Sequence, residues 1–501
     1  IGKEAHLMHK TQFFNLVARV IKNSIEFSAH NSFSTLEPEY ELALADKVDA
    51  MLGSMFTPNK VYAHYNLPLD SQKEDDIIEQ CKKEDNYYYN KTLISRLDST
   101  VDINVLKQDI CIDVIDGNGS RMPSEGLNNN INETGIIILP MFNKPQRTHK
   151  RKKSDGTVVT LVTKDADAWS DEINNAMHNL YYIKTDDLKG FRIKNMFIGL
   201  GGTGKSYLKV GYTPVLNDPL NAVMIFDDDI IKEDDEKNKL LYFGNVQLLS
   251  PDKIEENFLT CYNRACKEKI DILFAPEMLG TERLSSADES GYNKLFVPKA
   301  ENGFCTPFLT LVPTYWHNRT NVLSIFSSSG KKLIEQYKQK SFKLKGKKGI
   351  CTEDLTDSPK EIALVHIDGL GRLAFPICAD YLDEEYRNIL ITKLKASFII
   401  CPSYSFGTSN FEQLVSAGSA YGVRCIWGNS CSAISEVQEP PDYPCLVSTP
   451  IISEDAQKVR IHPECGGECR KLCLFKIDIP LDCGGDKMHE DINIEYTHLF
   501  E

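Results

Sequence analysis

No apolar run in this chain approaches the ~20 residues that a membrane-crossing helix needs, which excludes a helical membrane anchor within it. A secretion leader, charged and then apolar with a small-residue cleavage site, is also missing from the N-terminus. Basic residues are not in excess: 57 Lys and Arg stand against 71 Asp and Glu, a net charge of −14. That balance favours solubility and argues against nucleic acid or an anionic membrane as a bulk partner. With 30 Gly and 22 Pro in 501 residues, collagen-like and low-complexity chains are excluded, leaving ordinary globular composition. Cysteine is not scarce, but its count of 15 is odd, and Cys111, Cys401 and Cys425 sit inside apolar, strand-like runs. Such usage reads as reduced thiols in a cytoplasmic compartment. The chain opens on Ile1 rather than Met, with a helical pattern already under way by Gln12, so it is expected to be a piece of a longer polypeptide.

What is present divides into three regions. Residues 1–110 read as mainly helical, because Phe13, Phe14, Val17, Val20 and Ile21 recur at helical spacing, as do Leu42, Leu44, Val48, Met51 and Leu52. Residues 111–205 read as a mixed α/β connector with strands at 136–139 and 158–162, a basic loop at 144–153 and a helix at 165–180. From residue 206 to 501 strands and helices alternate, which implies a layered α/β fold. Turns at Gly330 and at Gly369 and Gly371 predict hairpins, hence mixed sheets rather than a purely parallel one.

Three side chains of this last region sit where strands break: Glu277 after DILFAP, a lysine after the strand that follows Gly330, and Cys378 after RLAFPI. Strand ends are where sheet proteins expose reactive groups to a shared pocket. Taken alone, Cys378 reads more readily as a core thiol than as a nucleophile, since free cysteine is commonly buried. Ordered as Glu, Lys, Cys on an alternating background, the three become a catalytic constellation.

The order, the helix-then-strand entry to PE, the ICAD elbow and the downstream FIICPSYSF…FEQLVSAGSAYGVRCIWGNS together resemble the carbon–nitrogen hydrolase (nitrilase) superfamily over about residues 206–485. The resemblance implies a four-layer αββα sandwich for residues 206–501 that pairs into dimers or larger assemblies. It implies hydrolysis of a small-molecule amide or nitrile, without metal or organic cofactor. Cys378 would be the nucleophile and Glu277 the general acid and base. A lysine, with the backbone N–H of Ala379, would hold the oxyanion, and the ammonium and the helix start would lower the thiol pKa. Lys338 lies eight residues after Gly330, the family's usual spacing, while Lys340 lies two further on the same strand face. Glu353 could match the second glutamate that many relatives keep, but its spacing from Lys338 is loose and a surface carboxylate is the reading favoured there. Tyr404 and Asn429 are expected at the pocket wall.

Two other motifs compete. Residues 199–206, GLGGTGKS, spell a phosphate-binding loop ending in Lys205 and Ser206, yet the following residues alternate like a strand, and such a loop requires a helix there. Cys465, Cys469 and Cys473, after His462 and before Cys483, are candidate zinc ligands. Their three-residue gaps differ from the usual two, so a Gly turn with reduced thiols and no metal is expected. A nitrilase-fold scaffold for oligomerisation or partner binding, weak in catalysis, remains the alternative to an active hydrolase. More weakly, the chain resembles the nitrilase-like C-terminal part of bacterial antiphage-defence reverse transcriptases. No Tyr-x-Asp-Asp motif is present, so a polymerase, and with it any nucleic-acid partner, would precede Ile1.

Overall fold

The alternation from residue 192 onward resolves into two eight-stranded sheets in a computed structural model of the chain. The structure describes residues 2–28, 38–55, 71–84, 87–101, 106, 110–113, 131–141, 148–152, 158–162, 172–199, 207–216, 224–227, 230–233, 239–243, 245–296, 307–346, 349–407, 409–419, 421–434, 444–448, 459–461, 472–481 and 493–499. One sheet runs, in spatial order, through Ile112–Asp113, Arg192–Gly199, Glu361–Ile367, Gly371–Ala374, Phe398–Ser403, Arg424–Asn429, Cys445–Ser448 and Val459–Ile461. The other runs through Tyr315–His317, Thr320–Ser327, Leu309–Leu311, Ile272–Phe274, Tyr207–Tyr212, Cys473–Pro480 and Asn493–His498, with Lys332–Tyr337 also paired to Thr320–Ser327. Both sheets are mixed. Glu361–Ile367 lies parallel to Arg192–Gly199 but antiparallel to Gly371–Ala374 across the Gly369 turn. Sheet pairing thus extends upstream of residue 206.

Side-chain parity along the strands explains why the sheets pack. Ile272 and Phe274 share a core with Tyr212, Ile399 and Trp427 of both sheets, while Leu273 between them joins Phe258 and Tyr262 on the opposite face. A period of two sends alternate residues to opposite faces. The helix Pro251–Lys267 covers that second face with Ile254, Phe258, Cys261, Tyr262 and Ala265, all buried at helical spacing. Burying each large apolar side chain contributes roughly 1.5–3 kcal/mol. The sheets approach closely at Gly428, where a Cβ would lie 2.5 Å from a ring carbon of Tyr212 and 2.6 Å from one of Phe274.

The first hundred residues contribute helices Gly2–Ser28, Pro38–Met55, Ser71–Glu84 and Tyr87–Ser99. They meet the sheets through the antiparallel pair Ile136–Pro140 and Leu180–Lys184. Ile137, Leu139, Tyr181 and Ile183 join the core of the sheets, and Ile136, Ile138, Leu180 and Tyr182 join that of the helices. Of the helix expected at 165–180, residues 165–171 lie outside the described residues, Glu172–Ala176 is helical, and Leu180 opens a strand. Its apolar residues follow the period of two imposed by the two cores. Part of the expected basic loop forms the strand Thr148–Lys152, paired with Val158–Val162. Most of the GLGGTGKS motif lies outside the described residues, and a strand, Tyr207–Tyr212, follows it. Among the described residues no helix is long and apolar enough to cross a membrane.

Candidate active site

The end of one strand gathers the reactive groups. Beyond Phe398–Ser403, the Pro402 carbonyl accepts the Cys378 N–H at 2.9 Å and the Ser403 carbonyl accepts the Glu277 N–H at 3.3 Å. The next N–H, of Tyr404, donates to Glu277 Oε2 at 3.0 Å. Residues 101 positions apart in sequence are therefore docked on adjacent carbonyls of a single strand end, as 378 − 277 gives.

Lys338 follows the strand Lys332–Tyr337 and is fixed by its own N–H, which donates to the Asn321 carbonyl at 2.9 Å. Its side chain is 0% exposed, and Nζ sits 2.6 Å from Glu277 Oε1 and 2.6 Å from Glu353 Oε2. Glu353 ends the strand Gly349–Glu353, and its Oε2 also accepts the Phe342 N–H at 2.9 Å. One ammonium between two carboxylates, all buried, satisfies the requirement that a buried charge be paired and hydrogen-bonded. Burial disfavours the charge on Lys338, but Glu277 and Glu353 outweigh it and hold the lysine's pKa above its ordinary value. Burial raises Glu353, against the pull of Lys338.

Cys378 occupies the break between Gly371–Ala374 and the short helix Ala379–Leu382, with φ 47° and ψ −106°. A non-glycine residue with positive φ costs energy, and such conformations concentrate at functional turns. Asp380 braces this turn: Oδ2 accepts the Ile377 N–H at 3.0 Å, while Oδ1 accepts those of Gln339 and Lys340 at 2.8 and 2.7 Å. One carboxylate thereby ties the nucleophile turn to the segment just after Lys338. Burial lifts Asp380 to about 7, opposed by Lys338 and by these three N–H donors.

The expected activation of the thiol by the ammonium and the helix start needs correction. Burial pushes Cys378 well above the usual thiol range, and the Glu277 carboxylate pushes the same way. Lys338 and the Tyr404 N–H oppose them without prevailing. Lys338 already has two anionic partners, and the helix has four residues with Asp380 in its first turn, so neither supplies much net positive field.

The remaining sequence candidates separate clearly. Lys340 leaves the cluster: it pairs with Asp383 at 2.9 Å with its side chain 36% exposed. Glu353, for which a surface position was the favoured reading, is instead fully buried on the lysine. Tyr404 contributes its backbone N–H, and Asn429 exchanges hydrogen bonds with Ser405 at 2.8 and 2.7 Å. Ala379 begins the helix after Cys378. Cys465 and Cys469 lie outside the described residues, and Cys473 is buried on its strand. Among the described residues no group of three or more His, Cys, Asp or Glu is placed to hold a metal.

Sequence reasoning missed Asn321, whose Nδ2 donates to Glu277 Oε1 at 2.8 Å and to Glu353 Oε1 at 3.2 Å. The available signal was a lone amide opening the apolar strand NVLSIF. A cavity of about 290 Å³ is walled by Met278, Gly280, Thr281, Glu282, Tyr315 and Trp316, among others, with none of Glu277, Lys338, Glu353 or Cys378 in its lining. Met278 follows Glu277, and Trp316 stands opposite Asn321 in the strand register.

No family model matches the sequence, and no curated protein matches it. Among solved structures the fold is similar to an amidase from Nesterenkonia sp. AN1 carrying the acetamide moiety of fluoroacetamide on its active-site cysteine. Identity is 13%, over 55% of this chain and 91% of that one, with a TM-score of 0.35. A mutant of the same amidase, described as from the nitrilase superfamily, matches at 13% identity over 56% and 94%, TM-score 0.35. Another structure of an amidase from Nesterenkonia sp. matches at 15% over 56% and 94%, TM-score 0.33.

Proposed function

We propose that residues 192–501 form a nitrilase-like αββα sandwich that hydrolyses the C–N bond of a small amide through Cys378. The observation that carries this reading is the buried Lys338 held at 2.6 Å by both Glu277 and Glu353, beside a cysteine on a strained turn. A structural ion pair needs one carboxylate; two around one ammonium, next to a thiol, make a site able to pass a proton without gaining charge.

In the proposed reaction the Cys378 thiol gives its proton to Glu277 as sulfur bonds to the carbonyl carbon. The carbonyl electrons move to oxygen, where a Lys338 proton and the Ala379 N–H stabilise the oxyanion. Lys338 has three N–H donors, two engaged by the carboxylates, so one serves the substrate. Collapse breaks the C–N bond as Glu277 returns the proton to the leaving amine. Water then attacks the thioester, giving a proton to Glu277, which passes it back to the departing sulfur. A resting thiol of raised pKa suits this sequence, because deprotonation is coupled to attack. The cavity beside Met278 and Trp316 is proposed to take the apolar remainder of the substrate.

Ammonia release from a panel of primary amides, with intact-mass detection of an acyl adduct lost in C378A, tests the reading. Neither product nor adduct, with Cys378 alkylated no faster than the other buried thiols, overturns it. One observation favours a second reading, a non-catalytic scaffold: Cys378 is only 2% exposed. Uniformly slow alkylation of all thiols is its expected signature. No described residue bears on a polymerase upstream of Ile1, so the proposal is confined to the sheets and their helices.

A further inference from the structure

We propose that Asn321 is a positioning residue of this site, its single side-chain NH₂ tying the two carboxylates together and deciding which oxygen of Glu277 receives the thiol proton. The inference rests on the hydrolase reading and names a residue that acts through Glu277. Asn321 is fully buried, and its polar groups meet three members of the cluster. Nδ2 reaches Glu277 Oε1 at 2.8 Å and Glu353 Oε1 at 3.2 Å, while the main-chain carbonyl receives the Lys338 N–H at 2.9 Å.

Electrostatics fixes the amide's orientation. Turned over, its carbonyl oxygen would face two carboxylate oxygens with no proton between them, so the NH₂ must point inward. The outward Oδ1 has no hydrogen-bond partner in the structure. A buried acceptor left in that state is costly, and leucine or valine in its place would avoid the cost. The amide is retained where its donors matter more.

The donors divide the labour of Glu277. Oε1 receives two of them, from Asn321 and Lys338, at 2.8 and 2.6 Å. Among the described residues Oε2 receives one main-chain donor, the Tyr404 N–H at 3.0 Å. The less satisfied oxygen is the more basic one, so the proton from sulfur goes to Oε2 while Oε1 stays bound to the lysine. Without Asn321, Oε1 would keep the Lys338 donor alone of the pair, and the carboxylate would carry more negative charge toward the thiol.

The test is the pH dependence of Cys378 alkylation by iodoacetamide, read by peptide mass spectrometry in the wild type, in Asn321→Leu and in Asn321→Ser. Leu approximates the shape without donors or added charge, and Ser removes the NH₂ while leaving a small hydroxyl. The expected result is alkylation slowed about tenfold or more at pH 7, as for loss of a positioned base. The midpoint should move up by about one unit, as lost hydrogen bonding to a neighbouring anion predicts. A folded variant with an unmoved midpoint overturns the proposal, since a merely structural role lowers only the melting temperature. If neither variant folds, asparagine-selective ¹⁵N spectra of the wild-type protein decide: one NH₂ pair must titrate with the alkylation midpoint, and its absence overturns the proposal. Failure of the hydrolase reading looks different, because then wild-type Cys378 itself shows no preferential alkylation.

Discussion

At Lys338 the balance of charge decides the consequence of mutation. Replacing it with Met leaves two buried carboxylates facing each other without a cation, and breaking such a pair typically costs about 3–5 kcal/mol. K338M should therefore unfold at markedly lower urea than the wild type, whereas K340M, at an exposed pair, should be nearly silent. The positive φ of Cys378 leads to a second expectation. C378G should be more stable than C378A by about 1 kcal/mol, because glycine relieves the turn that alanine must still strain to enter. Thermal unfolding of the two variants, side by side, checks this.

Asp380 sets a pH dependence whose sign follows from its raised value. Between about 4, where an unfolded aspartate ionises, and about 7 the folded group holds a proton that the unfolded one has lost. The contribution of Asp380 to stability therefore falls as pH rises through that window and is flat above it. Urea unfolding of wild type and D380N at several pH values should give a difference that declines from pH 4 to 7. A difference rising with pH over that range contradicts the assignment. The same scale shows how much of the site could be read in the chain. Spacing from Gly330 favoured Lys338 over Lys340, and strand-end positions marked Glu277 and Cys378. Glu353 was ambiguous because its strand pairs with Lys239–Phe243, a non-local parallel contact that local pattern cannot reveal. The shared thiol environment also depends on burial, which no spacing rule reports.

Among the elements, the register of the strands matters more than their propensity. Gly428, in Arg424–Asn429, lies where the two sheets touch, and a methyl group there would overlap two aromatic rings. G428A should lower stability by about 1–3 kcal/mol, the usual cost of overpacking a core, while far-UV circular dichroism stays native. The hairpins at Gly330 and Gly369 were legible because turn chemistry is local, as the antiparallel pairs Thr320–Ser327 with Lys332–Tyr337 and Glu361–Ile367 with Gly371–Ala374 show. At the end of the expected helix, Leu180 belongs instead to the strand Leu180–Lys184, whose alternate residues face two cores, a contact that local pattern does not reveal. The acidic stretch around Asp227 takes part in short strands, Met224–Asp227 paired with Asn245–Leu248 and Ile230–Glu233 paired with Lys239–Phe243.

Across the whole molecule the hairpin at 136–140 and 180–184 joins two cores with one set of strands. Tyr181 adds to the joint: its hydroxyl donates to the Lys393 carbonyl at 2.6 Å, and its ring lies 4.5 Å from the Arg372 guanidinium. Neither core can lose this hairpin without exposing the other. Helices and sheets should accordingly melt in one transition, with circular dichroism and tryptophan fluorescence coinciding. Y181A should lower that single midpoint rather than split it.

The ammonium at the centre has a further consequence for assembly. Its partners arrive from segments 61 and 15 positions away, the second being 353 − 338, and the sulfur from a third segment on the opposite sheet. One ammonium against two carboxylates leaves the cluster one negative charge, and the sheet that carries the sulfur also supplies the Tyr404 N–H that faces Glu277. The rate at which Cys378 is capped by a reagent is therefore a gauge of both sheets being in place, independent of any turnover.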